Sequence, residues 1–189
     1  MSHYVYSAHV TTLRDRALDS AIDLLGTEGL RSLTHGRVDD RAGIARGSTS
    51  NYFRTRDALL AGVAQRILQR EMPQVGTAFA PASADELVDA VAALVHHTTT
   101  AQRTLTTARL VLFMEASHDA ALRDTLSSGR RAMEAQVVPV LARLGSSDPA
   151  TGAAAVMACA EGLILHSIAR GDQTDPRPAL ELVILAGLA

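Results

Sequence analysis

Residues 34–53 read THGRVDDRAGIARGSTSNYF. Thr34 is a good N-cap behind the apolar Leu33, so the pattern predicts a short helix running to Ala42. Ala42-Gly43-Ile44 supplies a tight turn, and a second short helix is expected over about Arg46 to Phe53. Upstream, Leu13, Ala17, Leu18, Ala21, Ile22, Leu24 and Leu25 recur at the 3–4 spacing of one apolar face. That predicts a helix from Thr12 to Glu28, stopped by Gly29. Downstream, a further helix begins near Thr55, with Asp57 in its first turn, and is expected to end before Pro73.

Two short helices joined by a glycine turn, behind a longer amphipathic helix, form the arrangement of a helix-turn-helix. Arg46, Ser48, Thr49, Ser50, Asn51 and Tyr52 would supply donors and acceptors to base edges. Small Gly47 and Ser48 would let backbone approach phosphate. Arg54 and Arg56 stand where a phosphate-clamping cation is useful. Thr34 and His35, at the start of the first short helix, complete the candidate contact set. A glycine-turned helix pair also occurs in bundles that bind no nucleic acid, and Phe53 is expected in the core.

Over Leu13 to about Val63 the chain resembles the N-terminal domain of the TetR family of bacterial transcriptional regulators. The resemblance rests on Glu28-Gly29-Leu30, Leu33-Thr34, Ala42-Gly43-Ile44, Gly47-Ser48-Thr49, Tyr52-Phe53 and Arg56-Asp57-Ala58-Leu59-Leu60. It departs from the commoner pattern at Asp39 (usually alanine), Ala45 (often serine), Ser50 (frequently tyrosine), Tyr52 (frequently histidine) and Arg56 (usually lysine). The resemblance implies a DNA-binding head at 1–56, a fourth helix at 55–72 connecting it, and an effector-binding and dimerisation body at 73–189. It further implies a homodimer formed through the last two helices, a double-stranded palindromic operator, and an unknown small-molecule effector that releases a repressor.

Helical patterning continues at about 83–100, 103–117, 119–144, 149–170 and 178–188, with Gly76 to Ser83 the most linker-like stretch. No sustained period-two alternation marks a strand. The expected fold class is all-α, about nine helices: a three-helix front domain and a C-terminal bundle. In the body, polar or bulky residues on apolar helices are the candidate ligand contacts: His97, Arg109, Phe113, Met114, Met133, Gln136, Met157 and Glu161. Glu161 lies in a very apolar run, so it needs an arginine such as Arg109, or a polar ligand group. The 149–170 helix is apolar nearly all round and, with the Leu180 to Leu188 terminus, suggests a four-helix interface across a twofold axis. Two recognition helices on one DNA face should stand about 34–36 Å apart.

Composition narrows the classes further. The chain has 189 residues, 47% of them apolar, which excludes a disordered or collagen-like reading. Net charge is −2, yet residues 1–56 carry eight arginines against six acids, while 57–189 carry ten against fourteen. All 18 basic residues are arginine. Cys159 stands alone, excluding a disulfide scaffold and a cysteine zinc cage. His96 and His97 lie about 100° apart on a helix, unlike the i, i+4 pairs of zinc helices, so no metal site or cofactor is expected. There is no nucleophile elbow, phosphate loop or dinucleotide fingerprint, so no catalytic residue is assigned and the chain is not read as an enzyme. The first ten residues lack a signal pattern, and Gly152 to Ala169 reads as a buried helix, not a membrane span, which places the protein in the cytoplasm. The competing readings are an all-helical enzyme or small-molecule-binding protein with structural front helices, and a dimeric adaptor.

Overall fold

The computed structural model describes residues 12–76 and 80–189. The first ten residues, read above as carrying no signal, lie outside them, as does part of the linker-like stretch. Among the described residues there are nine α-helices and no strand: α1 Leu13–Glu28, α2 His35–Ala42, α3 Ser48–Tyr52, α4 Arg56–Gly76, α5 Ala84–Thr99, α6 Arg103–Glu115, α7 Ala120–Arg143, α8 Pro149–Arg170 and α9 Arg177–Leu188. A single 3-10 turn at Leu30–Ser32, not foreseen, joins α1 to α2.

Most boundaries are set by local chemistry. Thr12 caps α1 in a reciprocal box with Asp15. Thr34, Ser83, Asp119 and Asp148 each accept a backbone N–H at the head of α2, α5, α7 and α8. Gly43 closes α2 in the left-handed conformation at φ 60°, as does Gly171 at the end of α8. Two expectations shift. α4 runs through Pro73 to Gly76, so the proline falls in its last turn and does not end the helix before it. α3 starts at Ser48, so Arg46 stands on the turn and not on the helix.

The apolar faces gather into two cores. The first joins α1, α2 and α4 to the inner faces of α6 and the front of α7, through Leu18, Leu25, Leu33, Leu59, Leu112 and Leu122. The second joins α5, the rear of α7, α8 and α9, through Leu87, Leu141, Val156, Leu180 and Ile184. Within the first core α1 lies directly on α6. At their crossing a Cβ on Gly26 would clash with the Thr104 carbonyl oxygen. Gly26→Ala is therefore expected to force the helices apart and lower the melting temperature by roughly 5 °C or more. An unchanged thermal unfolding curve would show that this approach is not needed.

The 149–170 helix differs from its sequence reading. Only 22% of its most apolar window is buried within the chain, although its length and composition would suffice to cross a bilayer. One side meets α9 where Gly152 and Gly187 pass each other closely. The other side, with Ala154, Ala155, Ala158 and Leu165, is exposed beside Leu182 and Leu185 of α9.

Candidate nucleic-acid interface and internal cavity

α3 has five residues and no side-chain cap of its own, too short to hold its shape alone. α2 holds it at both ends. Asp39, only 1% exposed, accepts the Gly47 N–H at 2.7 Å, the Thr49 N–H at 2.8 Å and the Thr49 hydroxyl at 2.6 Å. One turn earlier on α2, His35 Nε2 donates to the Phe53 carbonyl at 2.7 Å. Burial by itself would raise the Asp39 pKa, but the bonds from Thr49 and Gly47 outweigh it and hold the carboxyl below its ordinary value. Asp39 thus acts as a remote N-cap for α3, with its negative charge at the positive end of the helix.

This geometry redistributes the residues expected at the DNA face. Thr49 is fully buried and spends both its donors on Asp39, so it positions α3 and does not read bases. The Gly47 and Ser48 amides are occupied by Asp39 and the Ala45 carbonyl, so they are not offered to phosphate. Gly47 serves instead through its positive φ of 87°, which turns the chain into α3. Thr34 caps α2, and the His35 ring is tied to Phe53. Arg56 donates to the carbonyls of Leu33 at 2.6 Å and Leu30 at 3.0 Å, fastening α4 to the turn before α2. Ser50, Asn51, Tyr52 and Arg54 are exposed, Ser48 is half-buried, and the Arg46 side chain is 86% exposed. These six form a compact polar surface.

Five further arginines, Arg14, Arg16, Arg37, Arg41 and Arg66, are engaged within the fold. Arg16 donates to the Ala42 carbonyl at 2.6 Å, satisfying the end of α2. Arg41 joins Asp23 and Glu28, and Arg37 also reaches Glu28, locking α2 on α1. Arg66 grips Asp19 with two bonds of 2.9 Å, locking α4 on α1. Phe53 is buried beneath the Arg14 guanidinium, 5.2 Å from the ring centre, and against Gly62.

Deeper in the chain, α4 to α8 line a half-open cavity of about 100 Å³. Four of the candidate ligand residues line it: Arg109, Met133, Met157 and Glu161. The others do not. His97 and Met114 are exposed, because the inward faces of their helices carry Val95 and Thr98, and Ala108 and Leu112. Gln136 is half-buried outside the lining, and Phe113 lines a separate outer groove with Arg130. Glu161 pairs with Arg130 at 2.6 Å and not with Arg109. Arg109 faces Glu71 of α4 at 3.2 Å, both nearly buried, a pair sequence reading missed. Burial raises the Glu71 pKa, and Arg109 opposes that in part.

A short helix presented by a buried cap, on a head joined to an all-helical body with a cavity, defines a helix-turn-helix transcriptional regulator. The sequence profile of the tetracyclin repressor-like C-terminal domain matches residues 82–188, and the chain belongs to the TetR family. It is a DNA-binding transcriptional regulator. Among solved structures, a transcriptional regulator from Rhodococcus sp. Rha1 is 19% identical with a TM-score of 0.81, covering 94% of this chain and 96% of that one. A member of the TetR family from Streptomyces coelicolor A3 is 25% identical with a TM-score of 0.73, covering 90% and 95%. The multidrug binding protein EbrR complexed with ethidium is 25% identical with a TM-score of 0.74, covering 91% and 96%. No curated protein sequence matches the chain.

Proposed function

We propose that the chain is a homodimeric repressor that binds a palindromic operator and is released by a small molecule. The carrying observation is the Asp39 cap, which holds α3 with Ser50, Asn51 and Tyr52 outward between Arg46 and Arg54. In this reading Arg46, Ser50 and Asn51 contact base edges, and Arg54 and Tyr52 contact phosphate. The front helices carry DNA binding; the body carries ligand binding and dimerisation, without a catalytic role of its own. The exposed apolar side of α8 and α9 meets the same side of a second copy, which also explains so apolar a helix in a cytoplasmic protein. The similar EbrR structure holds ethidium, which supports a ligand-responsive body here.

The test is binding of purified protein to the DNA flanking its own gene at several salt concentrations. Nanomolar affinity for a palindrome, falling steeply with salt, is expected; equal binding to scrambled DNA would reject the proposal. Arg46→Ala should change which bases are preferred. Arg54→Ala should weaken all sites alike and reduce the salt slope by about one. Altered base preference in Arg54→Ala would break that division of roles.

A further inference from the structure

The cavity between α4 and α8 contains an unmet chemical demand. Glu71 is 6% exposed, and neither of its carboxylate oxygens receives a hydrogen bond. Arg109 Nε lies 3.2 Å from Oε1 but is not aligned to donate to it. The Arg109 guanidinium also stacks 5.6 Å from the Phe113 ring centre. Buried carboxylates ordinarily accept several hydrogen bonds, and leaving them unmet is costly. Water meets such demands where it finds two to four polar partners. Here most of the wall is apolar: Leu94, Met133, Met157, Ala160 and Ile164. The Thr98 hydroxyl is turned to backbone carbonyls of its own helix, and Glu161 is engaged by Arg130.

Charge restricts the occupant. Glu71 faces Arg109, while Arg130, outside the lining, is shared by Glu161 and Glu134, so the buried Glu71–Arg109 pair brings no net charge of its own to attract an ion. A ligand cation would be repelled by Arg109, and a ligand anion by Glu71. Arg109 Nε is unpartnered as well, but two of the three unmet atoms here are the Glu71 oxygens, and these call for a donor. Its volume of about 100 Å³ is of the order of the roughly 150 Å³ apolar cavity that accepts benzene. We infer that the cavity selects a small neutral molecule, about one ring in size, that donates an O–H or N–H to Glu71 and buries the rest among the aliphatic wall. This rests on the proposal that the body is a ligand-binding unit, and names the ligand class.

Four single-ring probes on the full-length protein test it by calorimetry: p-cresol, toluene, benzylammonium and benzoate. p-Cresol is expected to bind at least about tenfold more tightly than toluene, the difference one hydrogen bond to a buried charge makes. Both ions should bind more weakly than p-cresol. Toluene binding as tightly as p-cresol, either ion binding more tightly, or no probe binding at all overturns the inference. In Glu71→Gln, Arg109 becomes the unmatched charge, so benzoate should overtake p-cresol; an unchanged ranking overturns it as well. Should that variant fail to fold, the ranking in the unmodified protein decides alone. Anisotropy with operator DNA separates the two readings. p-Cresol binding with undiminished operator affinity upholds the ligand class and overturns release by ligand.

Discussion

Asp39→Ala is expected to lower operator affinity on the order of a hundredfold while leaving the C-terminal body helical. The substitution strips the N–H groups of Gly47 and Thr49, and the buried Thr49 hydroxyl, of their common acceptor. Each unmet buried donor costs about 1–3 kcal/mol, and a five-residue helix has no internal reserve against such a loss. α3 would populate other orientations, and DNA binding would have to draw it back. Asp39→Asn should lie between, since an amide can serve one side of the arrangement but faces the other with its own N–H groups. Acid should reproduce the defect. Because the folded pKa of Asp39 is depressed, its contribution is complete above about pH 4, the ordinary carboxyl value, and is lost as pH falls through the folded value. The stability gap between the unmodified protein and Asp39→Asn should therefore close on acidification. A gap independent of pH, or full operator affinity in Asp39→Ala, would remove Asp39 from this role.

The second large effect is expected from Leu182→Arg combined with Leu185→Arg. These side chains are 72% and 51% exposed on α9, beside the uncovered side of α8. Two guanidinium groups buried across a twofold contact would meet their own copies, and like charges in an apolar interface are strongly disfavoured. The variant should elute as a monomer with unchanged helix content. Its affinity for a two-half-site operator should fall by roughly a hundredfold or more, because linked half-sites no longer raise each other's effective concentration. A dimer by sedimentation in the variant would place the interface elsewhere.

Helix boundaries were largely legible because they are written in local chemistry. Thr12, Thr34, Asp119 and Asp148 begin helices with their own side chains, and Gly29, Gly43 and Gly171 end them. The polar tip of the head was legible for the same reason, as a short run of exposed types. Partnerships across elements were not. Asp39 stood out only as a departure from a family pattern, with nothing in its neighbours to reveal that it caps another helix. Thr49 looked like its neighbours Ser48 and Ser50, yet the one-residue phase that buries it depends on where α3 starts. Glu161 stands out in its apolar run, but its partner is Arg130, 31 residues earlier, and nothing around Glu71 on α4 marks its pairing with Arg109. Arg41 and Arg56, near the expected DNA face, turn inward to acids and carbonyls that only the packed head brings near.

The cavity occupies the seam between the two cores: Glu71 and Arg109 belong to helices of the first, while Leu94, Met157 and Ile164 belong to helices of the second. A molecule seated there would touch both cores, so its binding energy would depend on their relative placement, and in the proposed dimer so would the spacing of the paired heads. Thermodynamic reciprocity then fixes a relation between the two ends of the protein. By whatever factor occupancy of the seam weakens the hold on DNA, the operator must weaken the hold on the occupant by the same factor. Protein resting on its operator would thus respond only to higher ligand concentrations than protein free in solution, which sets the threshold of the switch by the DNA itself.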